Sequence, residues 1–118
     1  MKRRVLIVDD VEDIRLMLRY MIEKEDYVIV AEAANGVEAV EKYREHLPDI
    51  TIMDIDMPYK SGVEAAREIR ELGGESRIIF CTGGISKYDA TPAELHSGGS
   101  SLLRKPFLPA QLYQALCA

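Results

Sequence analysis

Three carboxylates, a hydroxyl and an ammonium group draw attention in this sequence because each follows a short apolar run. Asp9 and Asp10 follow Val5–Val8, Asp54 follows Ile50–Met53, Thr82 follows Ile78–Cys81, and Lys105 lies just beyond Ser101–Leu103. If those runs are strands of one parallel sheet, all five side chains belong to its carboxyl edge, where such sheets bind ligands. Three carboxylates drawn together cannot all stay ionised in a partly dry pocket without a compensating cation. Oxygen donors of this kind suit a hard divalent ion, Mg2+ or Mn2+. A carboxylate can attack phosphorus to form an acyl phosphate, and in phosphoryl transfer the protein mostly supplies positioning and charge neutralisation. A lysine ammonium then acts as a point charge for one phosphoryl oxygen, and a threonine hydroxyl donates to another.

Periodicity indicates the elements that must position those residues. Val5–Val8, Val28–Ala31, Ile50–Met53 and Ile78–Cys81 are short and rich in Val and Ile, the pattern of strands covered on both faces. Ser101–Leu103 is a weaker fifth. Ile14, Leu18, Met21 and Ile22 recur on one face of a helix. Val40, Tyr43 and Leu47 repeat the stripe after Asn35-Gly36, and Pro48 stops that helix. Ala65, Ile69 and Leu72 make a third stripe, closed by Gly73-Gly74. Thr91-Pro92-Ala93-Glu94 is a capping box with proline at the first helical position. It predicts a short helix from near Pro92 to Gly98-Gly99, after a loop spanning 83–90. Pro109 opens a last helix that holds Leu112 and Leu116. Connections this short allow only right-handed parallel crossovers. The predicted fold is a doubly wound α/β domain, (βα)5 and flavodoxin-like. Its five-stranded parallel sheet carries helices on both faces, in a single domain over 1–118.

Composition narrows the function further. A chain of 118 residues can bury roughly two-thirds of its unfolded surface. The net charge of -5 argues against a nucleic-acid-binding surface, which needs clustered Lys and Arg. The two cysteines form no CxxC motif, and Cys81, inside an apolar run, is expected to be a small core residue. The amino terminus is basic, but the apolar run after it is too short for a signal peptide and ends on two aspartates. No segment reaches the ~20 apolar residues of a membrane span, so the expected location is the cytoplasm. His46 and His96 have no ligand-spaced partners and are expected at the surface.

With these residues in place, the sequence resembles a known family. VLIVDD, ITIMDIDMPYKSG, IIFCTGG and LLRKPF are similar to the four motif blocks of the response-regulator receiver domain, the CheY-like phosphoacceptor of two-component signalling. The likeness covers the whole chain in motif order. It implies Asp54 as phosphoacceptor and Asp9 and Asp10 as an acidic pair for Mg2+ or Mn2+, Asp10 being the more direct ligand. The Asp56 backbone carbonyl is implied as a further ligand, Thr82 as the switch hydroxyl and Lys105 as the phosphate-contacting cation. Pro106 matches the residue that follows this lysine through a cis peptide bond. The implied donor is a phosphohistidine on a sensor histidine kinase or phosphotransfer protein. The implied readout is a change in binding to an output domain or partner protein, with a homodimer as one form it could take.

The sequence departs from the family pattern in three places. Leu102 stands where an aromatic residue usually precedes the lysine by three positions, so readout is expected through loop and helix movement instead. Gly83-Gly84 is expected to loosen the loop that holds Thr82. Asp56 places a second acidic side chain near the phosphoacceptor and is expected to alter the lifetime of the phosphoryl group.

Other readings compete. Asp9 and Asp10 could serve as caps for the first helix, and Thr82 as a strand-end hydroxyl with local hydrogen bonds. DIDM also resembles the opening motif of haloacid-dehalogenase-type phosphatases, with Asp54 as nucleophile and Asp56 as acid-base catalyst. That motif normally ends a first strand, and its second acidic pair comes late in the chain. A receiver-like module that binds partners without phosphorylation is a further alternative. A flavin-binding protein is disfavoured, because the acidic loop Asp9-Asp10-Val11-Glu12-Asp13 repels phosphate. The chain ends at Ala118, soon after its last helix begins. That suits either a stand-alone shuttle or a receiver cut from a longer protein, with a slight lean toward the latter.

Overall fold

The computed structural model describes residues 2–73, 76–83 and 101–117. A strand flanked by neighbours and roofed by helices on both faces reads as a nearly continuous apolar run, and Ile50–Asp54 (β3) is buried at every position. Around it run β1 (Arg3–Val8), α1 (Glu12–Glu23), β2 (Tyr27–Ala33), α2 (Gly36–His46), α3 (Gly62–Glu71), β4 (Arg77–Thr82), β5 (Ser101–Arg104) and α4 (Pro109–Cys117). The five strands pair in parallel, in the order β2-β1-β3-β4-β5. This is the doubly wound, flavodoxin-like arrangement the sequence predicts.

Alternate side chains of each strand enter different cores. Val5 and Ile7 of β1 join Ile52 of β3 under α1 (Leu18, Ile22) and α4 (Leu112, Leu116). Leu6 and Val8 face the other way with Met53 and Phe80, under α2 (Val40, Tyr43) and α3 (Ala65, Ile69). Burying one such aliphatic side chain contributes about 1.5–3 kcal/mol. The sheet is thus held by helices on both sides, and its carboxyl edge is left for loops. Helix starts are capped locally. The Asn35 side chain accepts from the Glu38 N–H at 2.9 Å, and Ser61 accepts from the Glu64 N–H at 3.2 Å, as short polar side chains do at helix N-termini.

Several expectations need correction. The run Val28–Ala31 does not form a strand buried on both faces: β2 lies at the sheet edge, and Val28 is 39% exposed. An edge strand lacks one neighbour, and its side chains are covered less. β2 also carries a register shift, with Val5 opposite Ile29 but Leu6 opposite Ala31. Leu47 and Leu72 are not part of their helices' buried stripes. Leu47 terminates α2 with a left-handed φ of 45°, Leu72 terminates α3, and both are exposed. Gly73 follows with φ 79°, the conformation a glycine adopts beyond a helix end at little cost. Cys81 is buried in the α1 and α4 core, as expected, and Cys117 is exposed. The helix expected near Pro92, its Thr91 capping box, Gly84 and His96 lie outside the described residues.

Candidate functional site

The strand order places β1, β3 and β4 side by side in the centre of the sheet, so the residues at their carboxyl ends become neighbours. Asp9 is 1% exposed and held on all sides. Its N–H donates to the Ala33 carbonyl at 3.1 Å, and its Oδ1 accepts from the Val11 N–H at 2.9 Å. Oδ2 accepts from Lys105 Nζ at 2.8 Å. Its carbonyl accepts from Arg15 Nη1 at 2.6 Å. The reading of Asp9 and Asp10 as caps for the first helix is not what forms: Val11 is the N-cap of α1, and no side chain caps it.

Asp54 ends β3 and is 6% exposed, while Asp10 is exposed. Lys105 Nζ lies 3.4 Å from Asp54 Oδ1, so one ammonium bridges Asp9 and Asp54. Lys105 is fixed through its backbone, donating its N–H to the Thr82 carbonyl at 2.7 Å. The Lys105–Pro106 peptide is cis, as the family resemblance implies. Thr82 is buried at the end of β4, between β3 and β5. Space behind Asp54 is tight. A Cβ built on Gly62 would sit 2.0 Å from the Asp54 carbonyl oxygen, so only glycine lets α3 start this close to the strand end. The Gly62 N–H donates to the Ile55 carbonyl at 2.9 Å, which tightens that turn further.

The electrostatics follow from crowding. Asp54 is raised from 3.8 to about 7, first by burial and then by the charge of Asp9, against the opposing pull of Lys105. Burial lowers the Lys105 ammonium, but its hydrogen bond to Asp9 and the charges of Asp54 and Asp9 outweigh that and raise it. Lys105 alone therefore does not offset the burial of Asp54 beside Asp9. Oxygen atoms of Asp9, Asp10 and Asp54 all lie within 4.8 Å of one another, a donor set that suits a hard divalent ion. Cys81, beside Asp54 in the register of β3 and β4, is pushed by burial to about 12 and stays an inert thiol.

Asp56 is half-buried, and its Oδ1 is shielded from solvent without a hydrogen-bond partner. Its carboxylate is not one of the three grouped carboxylates. Gly83 is exposed, and nothing lies near where its Cβ would be. Leu102, at the expected aromatic position, packs partly buried against the α2 and α3 core. A mostly apolar cleft of about 450 Å³ opens beside Lys105, lined by Ile14, Met17, Gly83, Pro106 and Phe107. Sequence reasoning missed Arg15 and Glu32. The signal was present, because Glu32 interrupts the apolar run YVIVAEA of β2.

The whole chain has counterparts among known proteins. It matches the response regulator receiver domain family over residues 5–117. It is 37% identical over 116 residues to the chemotaxis protein CheY of Bacillus subtilis, covering 98% of this chain and 96% of that protein. The CheY of Thermotoga maritima is 40% identical over 116 residues, with the same coverage. A solved CheX–CheY–BeF3–Mg2+ complex from Borrelia burgdorferi superposes with a TM-score of 0.85 at 29% identity. That match covers 97% of this chain and 86% of the other. A match across the entire domain at this identity favours the receiver reading over a phosphatase or a flavin protein, and the chain belongs to the response regulator receiver domain family.

Proposed function

We propose that Asp54 is the residue phosphorylated in this receiver domain, and that it takes the phosphoryl group from a phosphohistidine on a sensor histidine kinase or phosphotransfer protein. The observation that carries this is a buried strand-end carboxylate with Lys105 Nζ 3.4 Å away and two further aspartates in the same cluster. An Asp54 oxygen attacks phosphorus, and the bond from phosphorus to the donor's imidazole nitrogen breaks. The electron pair stays on that nitrogen. Lys105 meets the incoming charge as an ammonium, and Thr82 offers a hydroxyl to a phosphoryl oxygen. Asp9, Asp10 and Asp54, with the Asp56 carbonyl, would hold Mg2+ (or Mn2+). When bound, such an ion supplies neutralisation of carboxylate and phosphoryl charge.

The domain on this reading promotes its own phosphorylation and dephosphorylation and turns over no separate substrate. Phosphorylation alters binding to an output domain or partner protein, or to a second copy, in the cytoplasm. With Leu102 at the position where the family usually has an aromatic residue, the change is carried by loop and helix movement. No helix among the described residues is long and apolar enough to cross a membrane.

The test is incubation with acetyl phosphate and Mg2+ followed by mass spectrometry of the intact chain. A single phosphoryl adduct is expected, absent from Asp54→Asn and lost on chelation. An adduct that persists in Asp54→Asn would overturn the assignment. Multiple-turnover hydrolysis of a small phosphomonoester would restore the phosphatase alternative.

A further inference from the structure

The peptide joining Asp9 to Asp10 is held from outside the carboxylate cluster. Arg15 Nη1 donates to the Asp9 carbonyl at 2.6 Å, and Nε of the same guanidinium lies 3.3 Å from Glu32 Oε1. Neither group is loose, with side chains 18% and 28% exposed. Glu32 Oε2 is taken by Arg19 through its Nε at 2.9 Å and through its Nη2. The second arginine is itself 3.5 Å from Glu23. A guanidinium presents its donors in a rigid planar fork, so pinning one side on Glu32 fixes the direction of the other. A peptide unit is planar, and holding its carbonyl therefore sets where the next Cα leaves. That next residue is Asp10, whose exposed side chain has no hydrogen bond or ion pair of its own among the described residues.

We infer that Arg15, oriented by Glu32, is a positioning residue for the acidic pair: it fixes the Asp9–Asp10 peptide so that the Asp10 carboxylate is presented to a divalent cation. This rests on the reading of Asp9, Asp10 and Asp54 as a cation site. It makes a counterintuitive demand. By charge alone, a nearby guanidinium repels a divalent cation, and removing it would tighten binding. By position, removing it loosens Asp10 and weakens binding. The two effects have opposite signs, so experiment can separate them.

The experiment is calorimetric titration of the whole chain with Mg2+ at about pH 8, well above the ordinary carboxylate range. Arg15→Lys keeps the charge but replaces the rigid planar fork with a single rotatable ammonium, so a contact to Glu32 no longer fixes the direction of a donor to the Asp9 carbonyl. Arg15→Lys and Arg15→Gln are each expected to weaken Mg2+ binding on the order of tenfold, the scale of losing an outer-shell partner. Arg19→Gln, which loses a Glu32 contact but none to Asp9, is expected to stay within about twofold because its half-exposed charge is screened. Affinity unchanged in Arg15→Lys, or tightened in Arg15→Gln, would overturn the inference. Urea unfolding of each variant guards against general loss of structure. If Arg15→Gln does not fold, the contrast between Arg15→Lys and Arg19→Gln decides alone. Failure of the unaltered chain to bind Mg2+ would refute the cation site, and this inference with it, before any variant is compared.

Discussion

Replacing Asp54 with asparagine keeps the shape of the side chain and removes a charge that the folded protein holds at a cost. Asp54 titrates at about 7 rather than 3.8, because it is buried and faces Asp9, with Lys105 offsetting only part of this. Between those two values the folded chain holds a proton that the unfolded chain has released. Stability therefore falls as pH rises through that window, and the full cost is present above it. Converted directly, the gap amounts to about 4 kcal/mol. Water reaching the pocket past exposed Asp10 screens some of it, so an effect of roughly 2–4 kcal/mol is expected. In urea unfolding with a chelator, Asp54→Asn should be more stable than the unaltered chain by that amount at about pH 8. The gain should shrink to about 1 kcal/mol near pH 4.5, where the folded Asp54 is protonated and the pH is only a little above the unfolded value of 3.8. Added Mg2+ should stabilise the unaltered chain more than the variant, since a ligand stabilises in proportion to its affinity for the folded state. An equal gain at both pH values, or a loss at the higher one, would refute burial and Asp9 as the source of the perturbation.

Three further outcomes are expected. Gly62→Ala places a methyl group 2.0 Å from the Asp54 carbonyl oxygen. It should cost about 1–3 kcal/mol in urea unfolding and slow labelling by acetyl phosphate; unaltered stability would show that the loop yields freely. Lys105→Ala removes the ammonium that bridges Asp9 and Asp54 and should slow phosphoryl labelling by at least about tenfold. It should also raise Asp54 further, which a pH series of the labelling rate would detect. Asp56→Asn removes the half-buried carboxylate with an unpartnered oxygen and should change the dephosphorylation rate, followed as loss of the adduct mass with time. An unchanged rate would end the idea that Asp56 repels or orients water at the phosphoryl group.

The residues of the site were legible because their signal is local. Asp9, Asp54 and Thr82 end or directly follow apolar strands and Lys105 lies one residue beyond β5, so strand periodicity alone marks them as candidates for one edge. The apolar stripes of Leu18 and Ile22, and of Leu112 and Leu116, likewise announced the faces that close one core. What the sequence could not determine depends on partners distant along the chain. Val28 and Ile52 look alike as members of Val- and Ile-rich runs, yet β2 is an edge and β3 the centre. Only the pairing of strands decides how much of each is covered. Leu47 and Leu72 fit helical spacing but fall at helix ends, where the backbone turns away from the core. The link from Glu32 through Arg15 to the Asp9 carbonyl joins β2, α1 and the β1 terminus, and no spacing rule connects them. The raised Asp54 is also a tertiary property. A carboxyl's charge is set by the burial and the neighbouring charges around it, and Asp9 and Lys105 become its neighbours only when the sheet is assembled.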